Sequence, residues 1–206
     1  NTDAVVTNGT FPTNITGWTN RSTGGGSIAH DATNLDMNLV PGGTAGTDIG
    51  WAEQAITTTN TSQEHVIKFR VVGDPGDKIE FQVGTAASGA QTLAAVEKEV
   101  GYHCVAFTPT TSPFYVQFRN IGSNANKTIS IDDVSFIDNA ALEIDTLWEE
   151  ADLYDLEGPQ SADVLYLFHK TTPTHKLLRY GHTTWSLVEV PWQDGPYLDL
   201  NTTATT

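Results

Sequence analysis

Short segments in which apolar and polar residues alternate occur along most of the chain, and clusters of Gly, Pro, Asn and Asp separate them. This alternation is typical of antiparallel strands, because successive side chains of a strand point to opposite faces. Residues 65–72 and 78–83 form two such strands around a tight turn at 73–77, so we expect a β-hairpin. Without a convincing amphipathic helix, the pattern predicts an all-β fold, an antiparallel jelly roll or β-sandwich. Further strands are predicted at 101–107, 114–119 and 129–136.

The last part of the chain has a different spacing of strands. Residues 164–168 are apolar at every position, so we expect their strand to be buried on both faces. A meander of this size buries too little surface to be stable alone. It is therefore predicted to pack on the jelly roll, or to be part of a larger β array such as a β-propeller. The three strands of this predicted antiparallel meander are 163–169, 175–180 and 184–190.

The distribution of charge divides the chain into three predicted parts. Residues 1–138 form the jelly roll, 139–157 an acidic connector, and 158–206 the propeller-like meander. Between residues 143 and 157 the chain has seven acidic residues and no Lys or Arg. We interpret this run as a solvated connector with one helical turn at 147–153. The alternative is that it forms a docking surface for a basic partner.

The composition argues against two kinds of function. The chain has 206 residues, with 10 Lys and Arg against 25 Asp and Glu, and a net charge of −15. Sequence-specific nucleic-acid binding is not expected, because it needs basic side chains that neutralise phosphates. No stretch approaches the roughly 18 consecutive apolar residues of a membrane-spanning helix, so we expect no membrane insertion. The single cysteine, Cys104, allows no internal disulfide, and its apolar neighbours predict a buried thiol.

Two segments at the ends of the predicted jelly roll resemble a known class of protein. Residues 8–11, Asn-Gly-Thr-Phe, followed by Gly17 and Trp18, resemble the opening strand of carbohydrate-binding modules with a galactose-binding-like jelly roll. Residues 131–136 resemble the closing strand of the same modules. The resemblance implies this fold for the first region, with Trp18 in the core. It also implies a glycan as ligand, although the same fold serves many functions.

The same resemblance implies a cofactor. In these modules the first and last strands often hold a structural calcium ion, which prefers carboxylate and carbonyl oxygens. Asp132 and Asp133 match the acidic pair, and Thr10 lies in the opposite wall. Pro12 stands where the modules usually have Glu, so one ligand is missing. A calcium site and a pair of carboxylates without metal are therefore both open.

Sugar binding needs aromatic rings that stack on the sugar and polar groups that bind its hydroxyls. Packing in the core is the alternative for each ring, since large aromatic side chains are most often buried. The predicted glycan-binding residues are Trp51, Tyr102, Tyr115 and Asn120.

The last region resembles a second class of protein. Four motifs in order match a segment of large bacteriophage tail proteins, related to the nozzle, or tail tubular protein B, of short-tailed phages. The core of those proteins is a β-propeller assembled as a ring. The resemblance implies other tail subunits as partners in a homo-oligomeric ring, with the jelly roll outside it against a host surface glycan. The motifs are GPQSADVLYLFH at 158–169, KLLR at 176–179, TWSL at 184–187 and DGPY at 194–197.

The sequence has no recognisable catalytic site. Its six histidines form no His-Glu-X-X-His motif, and no Gly-X-Ser-X-Gly elbow occurs. We therefore expect no enzyme activity. The function predicted from the sequence is a structural component of a bacteriophage tail, located in the virion. The alternative is a free-standing carbohydrate-binding module of a secreted or surface protein, with no assembly role.

Overall fold

The computed structural model describes residues 3–122, 127–137 and 142–192. In these ranges it has fourteen strands and one 3-10 helix, Glu150–Asp155. The eight strands predicted from the alternation of apolar and polar residues are all present, with ends that differ by at most two residues. Residues 8–11, which resemble an opening strand, do not form one, and Asn8 and Phe11 have positive φ angles there. The strands are β1 (Thr19–Asn20), β2 (Ser27–Asp31), β3 (Asp36–Val40), β4 (Gly50–Ile56), β5 (His65–Val72), β6 (Lys78–Gly84), β7 (Leu93–Glu99), β8 (Gly101–Phe107), β9 (Phe114–Asn120), β10 (Ile129–Phe136), β11 (Gln160–Ser161), β12 (Val164–Leu167), β13 (His175–Arg179) and β14 (Trp185–Glu189).

The strands form two sheets that pack face to face as a β-sandwich. The five-stranded sheet has the order β1-β4-β9-β6-β7, and the nine-stranded sheet has the order β11-β12-β13-β14-β8-β5-β10-β3-β2. Neighbouring strands in both sheets are antiparallel. The predicted class, an all-β antiparallel sandwich, is confirmed.

The core between the sheets is built from the inward side of each alternating strand. Phe69 of β5, Phe81 of β6 and Phe118 of β9 meet there, with ring centroids between 4.9 and 5.3 Å apart. The Trp18 indole packs on Phe11 and Phe118 and is only 8% exposed, as the sequence predicted. Burial of these large rings supplies much of the hydrophobic stabilisation of the sandwich.

The predicted hairpin of β5 and β6 is wrong. β5 lies in the nine-stranded sheet and β6 in the five-stranded sheet, so the turn at 73–77 carries the chain between sheets. Within the turn, Gly76 has a φ of +89°, which favours glycine, and the Asp77 N–H donates to the Asp74 carbonyl at 3.0 Å. Both strands point apolar side chains into one core from opposite sides. An alternating pattern does not distinguish this arrangement from a hairpin.

The meander continues the nine-stranded sheet. β14 pairs with β8, with Trp185 opposite Cys104 and Leu187 opposite Tyr102, and β13, β12 and β11 follow in order. Every residue of β12 is only half-buried, and Phe168 is 41% exposed. The prediction of a strand buried on both faces is therefore wrong. The propeller interpretation has no support, because the neighbour of the meander is a strand of the jelly roll.

Residues 142–157 lie partly against the nine-stranded sheet. Asp145 accepts a hydrogen bond from Lys68 Nζ of β5 at 2.8 Å. Trp148 is 8% exposed and packs edge-on against His175 of β13, with 5.4 Å between the ring centroids. The 3-10 helix that follows overlaps the predicted helical turn and has no buried residue. The predicted connector is thus packed at its start and solvated at its helix, and the predicted domain boundaries stay predictions.

A lysine is buried where β7 meets the meander. Lys98 is 6% exposed, and its ammonium lies 4.9 Å from the centre of the Tyr180 ring, a cation–π contact. Burial lowers the pKa of Lys98 from 10.5 to about 8, because it disfavours the charged form.

Replacing Lys98 by Met is expected to stabilise the protein at pH 7. Below pH 8 the folded state holds a buried charge that costs about 3 kcal/mol, at about 1.4 kcal/mol per pKa unit. The substitution removes this cost and also the contact with Tyr180, worth about 1–2 kcal/mol, so the net gain is about 1–2 kcal/mol. Between about pH 8 and 10.5 only the unfolded state keeps the proton of Lys98. Stability of the unaltered protein therefore rises with pH in this window, and the variant lacks that contribution.

Urea unfolding at pH 7 and at pH 9.5 measures both effects. Lys78→Met serves as the control, because this lysine lines the same region and its side chain is 35% exposed. A Lys98→Met protein that is less stable than the unaltered protein at pH 7 contradicts the prediction.

Candidate functional site

The outer face of the five-stranded sheet has a row of large polar and aromatic side chains in register. Trp51 of β4 lies opposite Arg119 of β9, Arg119 opposite Glu80 of β6, and Glu80 opposite Glu97 of β7. We call these four residues the platform row. The alternation of each strand places them outward, because their neighbours Ala52, Phe118, Phe81 and Val96 face the core.

Electrostatic contacts hold the platform row together. The Arg119 guanidinium lies over the Trp51 indole, with Cζ 4.8 Å from the ring centroid. Arg119 Nη1 donates to Glu80 Oε2 at 2.8 Å and to Gln82 Oε1 at 3.2 Å. Two buried N–H donors of the stacked pair, Trp51 Nε1 and Arg119 Nε, have no hydrogen-bond partner among the described residues.

A second row on the same face is closed by a loop. Glu53, Gln117 and Gln82 lie in register on β4, β9 and β6 and are 1%, 0% and 4% exposed. The loop between β6 and β7 covers them: Gln117 Nε2 donates to the Gly89 carbonyl at 2.6 Å, and the Ser88 N–H donates to the Glu53 carboxylate. We call these three residues the covered row. Its hydrogen bonds are made within the chain, so it fixes the loop and offers nothing to a ligand.

Two of the predicted glycan-binding residues lie on this face. Trp51 belongs to the platform row and is half-buried. Tyr115 of β9 is also half-buried and lies opposite Ala55 and Gly84. It is four residues from Arg119 along the strand, which is about 13 Å at 3.3 Å per residue. Trp51 and Tyr115 thus lie on opposite sides of the covered row.

The other two predicted glycan-binding residues lie elsewhere. Tyr102 of β8 is on the outer face of the nine-stranded sheet, where the Arg70 guanidinium lies 5.3 Å from its ring centroid. Asn120 is fully buried, and its amide donates to the carbonyls of Leu39 at 3.0 Å and Lys127 at 2.8 Å. Neither residue belongs to the candidate site.

Arg119 and Glu80 were not predicted as site residues. A signal for them existed, because the alternation of the predicted strands 78–83 and 114–119 places both on the polar side. The pairing register of β4, β9 and β6, which brings them beside Trp51, joins segments far apart in sequence. Local patterns do not contain that register.

The predicted calcium residues are only partly brought together. Thr10 and Asp133 line one small pocket, which Lys68 also lines. Asp132 lies opposite Arg70 of β5, and burial raises the pKa of its carboxyl. Asp145 also lines this pocket and accepts a hydrogen bond from Lys68 at 2.8 Å, whereas Asp132 does not line it. The predicted acidic pair of Asp132 and Asp133 therefore does not face one common site. Calcium binding stays a prediction.

Two further observations concern metals and membranes. Within residues 3–122, 127–137 and 142–192, no three His, Cys, Asp or Glu side chains are grouped so that they could hold a metal ion. The same ranges contain no helix with the length and apolar character needed to cross a bilayer. Cys104 is buried as predicted, and burial raises the pKa of its thiol.

Several solved structures are similar to this chain, whereas no protein-family model and no curated protein matches it. CBM1 of BiXyn10A, in its apo form, has 16% sequence identity and a TM-score of 0.50, covering 66% of this chain and 98% of that module. A CBM4 structure has 15% identity and a TM-score of 0.46, covering 59% and 94%. The second N-terminal cellulose-binding domain of Cellulomonas fimi β-1,4-glucanase C has 17% identity and a TM-score of 0.42, covering 67% and 95%.

These similarities concern the fold. The match to CBM1 of BiXyn10A shows that about two thirds of the chain has the jelly-roll sandwich of a carbohydrate-binding module. The interpretation as a bacteriophage tail protein has no support in the comparisons. The tail-subunit ring predicted as a partner is likewise unsupported.

Proposed function

We propose that this protein binds a neutral carbohydrate chain on the outer face of its five-stranded sheet, along the platform row. The observation that supports the proposal is the register of Trp51, Arg119 and Glu80. It sets an aromatic ring beside two charged hydrogen-bonding groups on adjacent strands. The jelly-roll fold shared with CBM1 of BiXyn10A agrees with such a function.

A chain of sugar rings suits the platform row better than a single sugar. Adjacent strands are about 4.8 Å apart, so the strands β4, β9, β6 and β7 present a path of about 14 Å. The indole of Trp51, on the face that the Arg119 guanidinium does not cover, stacks on the apolar face of one ring, and Arg119 and Glu80 bind hydroxyls of the next. Hydrogen bonds to charged groups are the stronger ones, which favours these contacts. The loop over the covered row borders this path on one side.

The charges of the row favour a neutral ligand. Arg119 is paired with Glu80 at 2.8 Å and Lys78 with Glu97 at 2.7 Å, so the row has no excess of positive charge. The net charge of −15 repels acidic polysaccharides. The ion pairs also favour binding over catalysis, because hydrolysis of a glycosidic bond needs a carboxyl that is free to donate its proton.

Trp51→Ala is expected to weaken binding of a neutral polysaccharide by about 10- to 100-fold, or about 1.4–2.8 kcal/mol. The loss follows from removal of the stacking surface and of the support for Arg119. Affinity electrophoresis in gels that contain xylan, β-glucan, mannan or galactan identifies the ligand. Titration calorimetry with oligosaccharides of that ligand then measures the change.

Tyr102→Ala is the matched control, because it removes an aromatic ring from the outer face of the other sheet. It is expected to bind as the unaltered protein does. Equal losses in both variants, or no retention of the unaltered protein by any of the four polysaccharides, would overturn the proposed function.

A further inference from the structure

The outer face of the meander has a pocket of its own. It has a volume of about 310 Å³ and is lined by six residues from β11, β12, β13, β14 and the turn at 162–163. We call it the meander pocket. It lies on the nine-stranded sheet, away from the platform row. Its lining residues are Gln160, Asp163, Leu165, Leu177, Arg179 and Trp185.

We propose that the meander pocket is a second binding site, which takes a single neutral sugar ring or the end of a glycan chain. The inference does not rest on the proposed function of the platform row, because the two sites share no residue. It rests on the juxtaposition of an indole, an apolar floor and an exposed Arg–Asp pair in one pocket of sugar size.

The floor of the pocket suits the apolar face of a sugar. Leu165 of β12 and Leu177 of β13 are in register, so their side chains are neighbours on one face. Trp185 of β14 stands beside them, because it lies opposite Arg179, two residues after Leu177. The indole N–H of Trp185 donates to the His182 carbonyl at 3.1 Å, which fixes the ring. The ring is half-buried, which leaves part of its surface for stacking.

The rim of the pocket provides both donors and acceptors. Arg179 Nη1 is 3.1 Å from Asp163 Oδ1, and the Arg179 guanidinium lies 5.8 Å from the centre of the Trp185 ring. The backbone N–H of Arg179 also donates to the Asp163 carbonyl at 2.9 Å, so the turn and the strand are fixed to each other. The side chains of Arg179 and Asp163 are 42% and 64% exposed and remain accessible to hydroxyls.

Charge and size specify the ligand further. The guanidinium and the carboxylate balance each other, so an acidic or basic ligand would have to compete with an existing ion pair. Adjacent hydroxyls of a neutral sugar can bind one group each without breaking the pair. A volume of about 310 Å³ is at the lower end of the roughly 300–1,000 Å³ of ligand pockets, which fits one ring better than a chain.

The test is a titration of the full ¹⁵N-labelled chain, followed by NMR of the five tryptophan indole N–H signals. The probes are the methyl glycosides of glucose, galactose, mannose, xylose and N-acetylglucosamine. At least one probe is expected to shift the Trp185 signal, identified with Trp185→Phe, in a saturable way. Arg179→Ala is expected to weaken this binding at least tenfold and leaves the strands β12 to β14 in place, because its side chain is on the rim.

Trp192→Ala is the matched control, since this ring is 70% exposed and does not line the pocket. It is expected to leave the Trp185 shift unchanged. Absence of a saturable Trp185 shift with all five probes overturns the proposal, as does an equal loss in Arg179→Ala and Trp192→Ala. Trp51→Ala separates the two sites, because it is expected to weaken polysaccharide retention and to keep the Trp185 shift.

Discussion

Acidification from pH 7 to pH 4 is expected to lower the free energy of unfolding by about 3 kcal/mol through one side chain, His103. Its imidazole is 1% exposed where β8 meets β14. The pKa of His103 is lowered from 6.5 to about 3, first by burial and then by the positive charge of Lys98. Two hydrogen bonds fix the neutral ring: Nε2 donates to the Glu99 carbonyl at 2.7 Å, and Nδ1 accepts from the Ser186 hydroxyl at 2.8 Å.

The direction of the effect follows from proton uptake. Between pH 6.5 and about 3, His103 of the unfolded chain binds a proton and His103 of the folded chain does not. Unfolding therefore takes up a proton, and stability falls as the pH falls. At about 1.4 kcal/mol per pH unit, the interval from 6.5 to 4 gives about 3 kcal/mol. Above pH 6.5 the residue is neutral in both states and contributes no pH dependence.

Urea unfolding of the unaltered protein and of His103→Gln at pH 7, 5 and 4 tests this. The variant is expected to be less stable at pH 7, because it loses the packing of the ring on Phe69 at 5.2 Å. Its stability is expected to fall less with acid, since Gln does not titrate. His182→Gln replaces an exposed imidazole and should keep the full acid dependence. The same acid dependence in all three proteins would show that His103 is not responsible.

Strand positions could be predicted from the sequence because the signal for them is local. Alternation of apolar and polar residues follows from the two faces of a strand. It located β5 and β8 without error at either end. The strands that were not predicted are β1, β2, β3, β4, β7 and β11. Among them, β7 has only one buried residue, Lys98, and a charged residue at that position conceals the alternating pattern.

The partners of the strands could not be predicted in the same way. β5 and β6 have the same inward alternation, but one pairs with β8 and β10 and the other with β7 and β9. The choice depends on how two sheets share one core, which involves residues far apart in sequence. The partner of the meander could not be predicted from its sequence either. Its sequence alone resembles a tail-protein segment, whereas its hydrogen bonds to β8 make it an extension of the sandwich.

Some residues of the candidate site could be predicted from the sequence, whereas others depend on pairing between distant segments. Trp51 was predicted because exposed indoles are suited to sugars, and the structure places it on an outer face. Burial of Asn120 was not predicted, because an amide on a strand is ordinarily solvated and here two carbonyls of distant segments bind it. The meander pocket was not predicted either, since Asp163 and Arg179 meet only after β12 and β13 pair.

Separation of the meander from the jelly roll is expected to have the largest effect on folding. Residues 158–206 produced alone are expected to be unfolded, because their buried side chains pack against residues outside the fragment. Ser186 is buried against His103 and His175 against Trp148, and both partners lie outside the fragment. Within 158–192, the described part of the fragment, the only other residues buried as a whole are Leu187 and Val188 on β14, the strand that pairs with β8. The buried His169 side chain lies 3.8 Å from Asp152, which is also outside the fragment. An isolated sheet of this kind is marginal in water.

Residues 1–138 are the matched fragment, because every member of the buried core cluster lies within them, from Ala4 to Val134. This fragment is expected to melt cooperatively, at a lower temperature than the full chain, since β8 loses the backbone hydrogen bonds to β14 and becomes an open edge. Circular dichroism melting curves and ¹H–¹⁵N spectra of both fragments decide the matter. A cooperative melt and dispersed spectrum for 158–206 alone would establish it as a domain in its own right. The meander pocket would then belong to a domain that folds independently. The pairing of β14 with β8 would then be a contact between two domains, and the meander would not need it in order to fold.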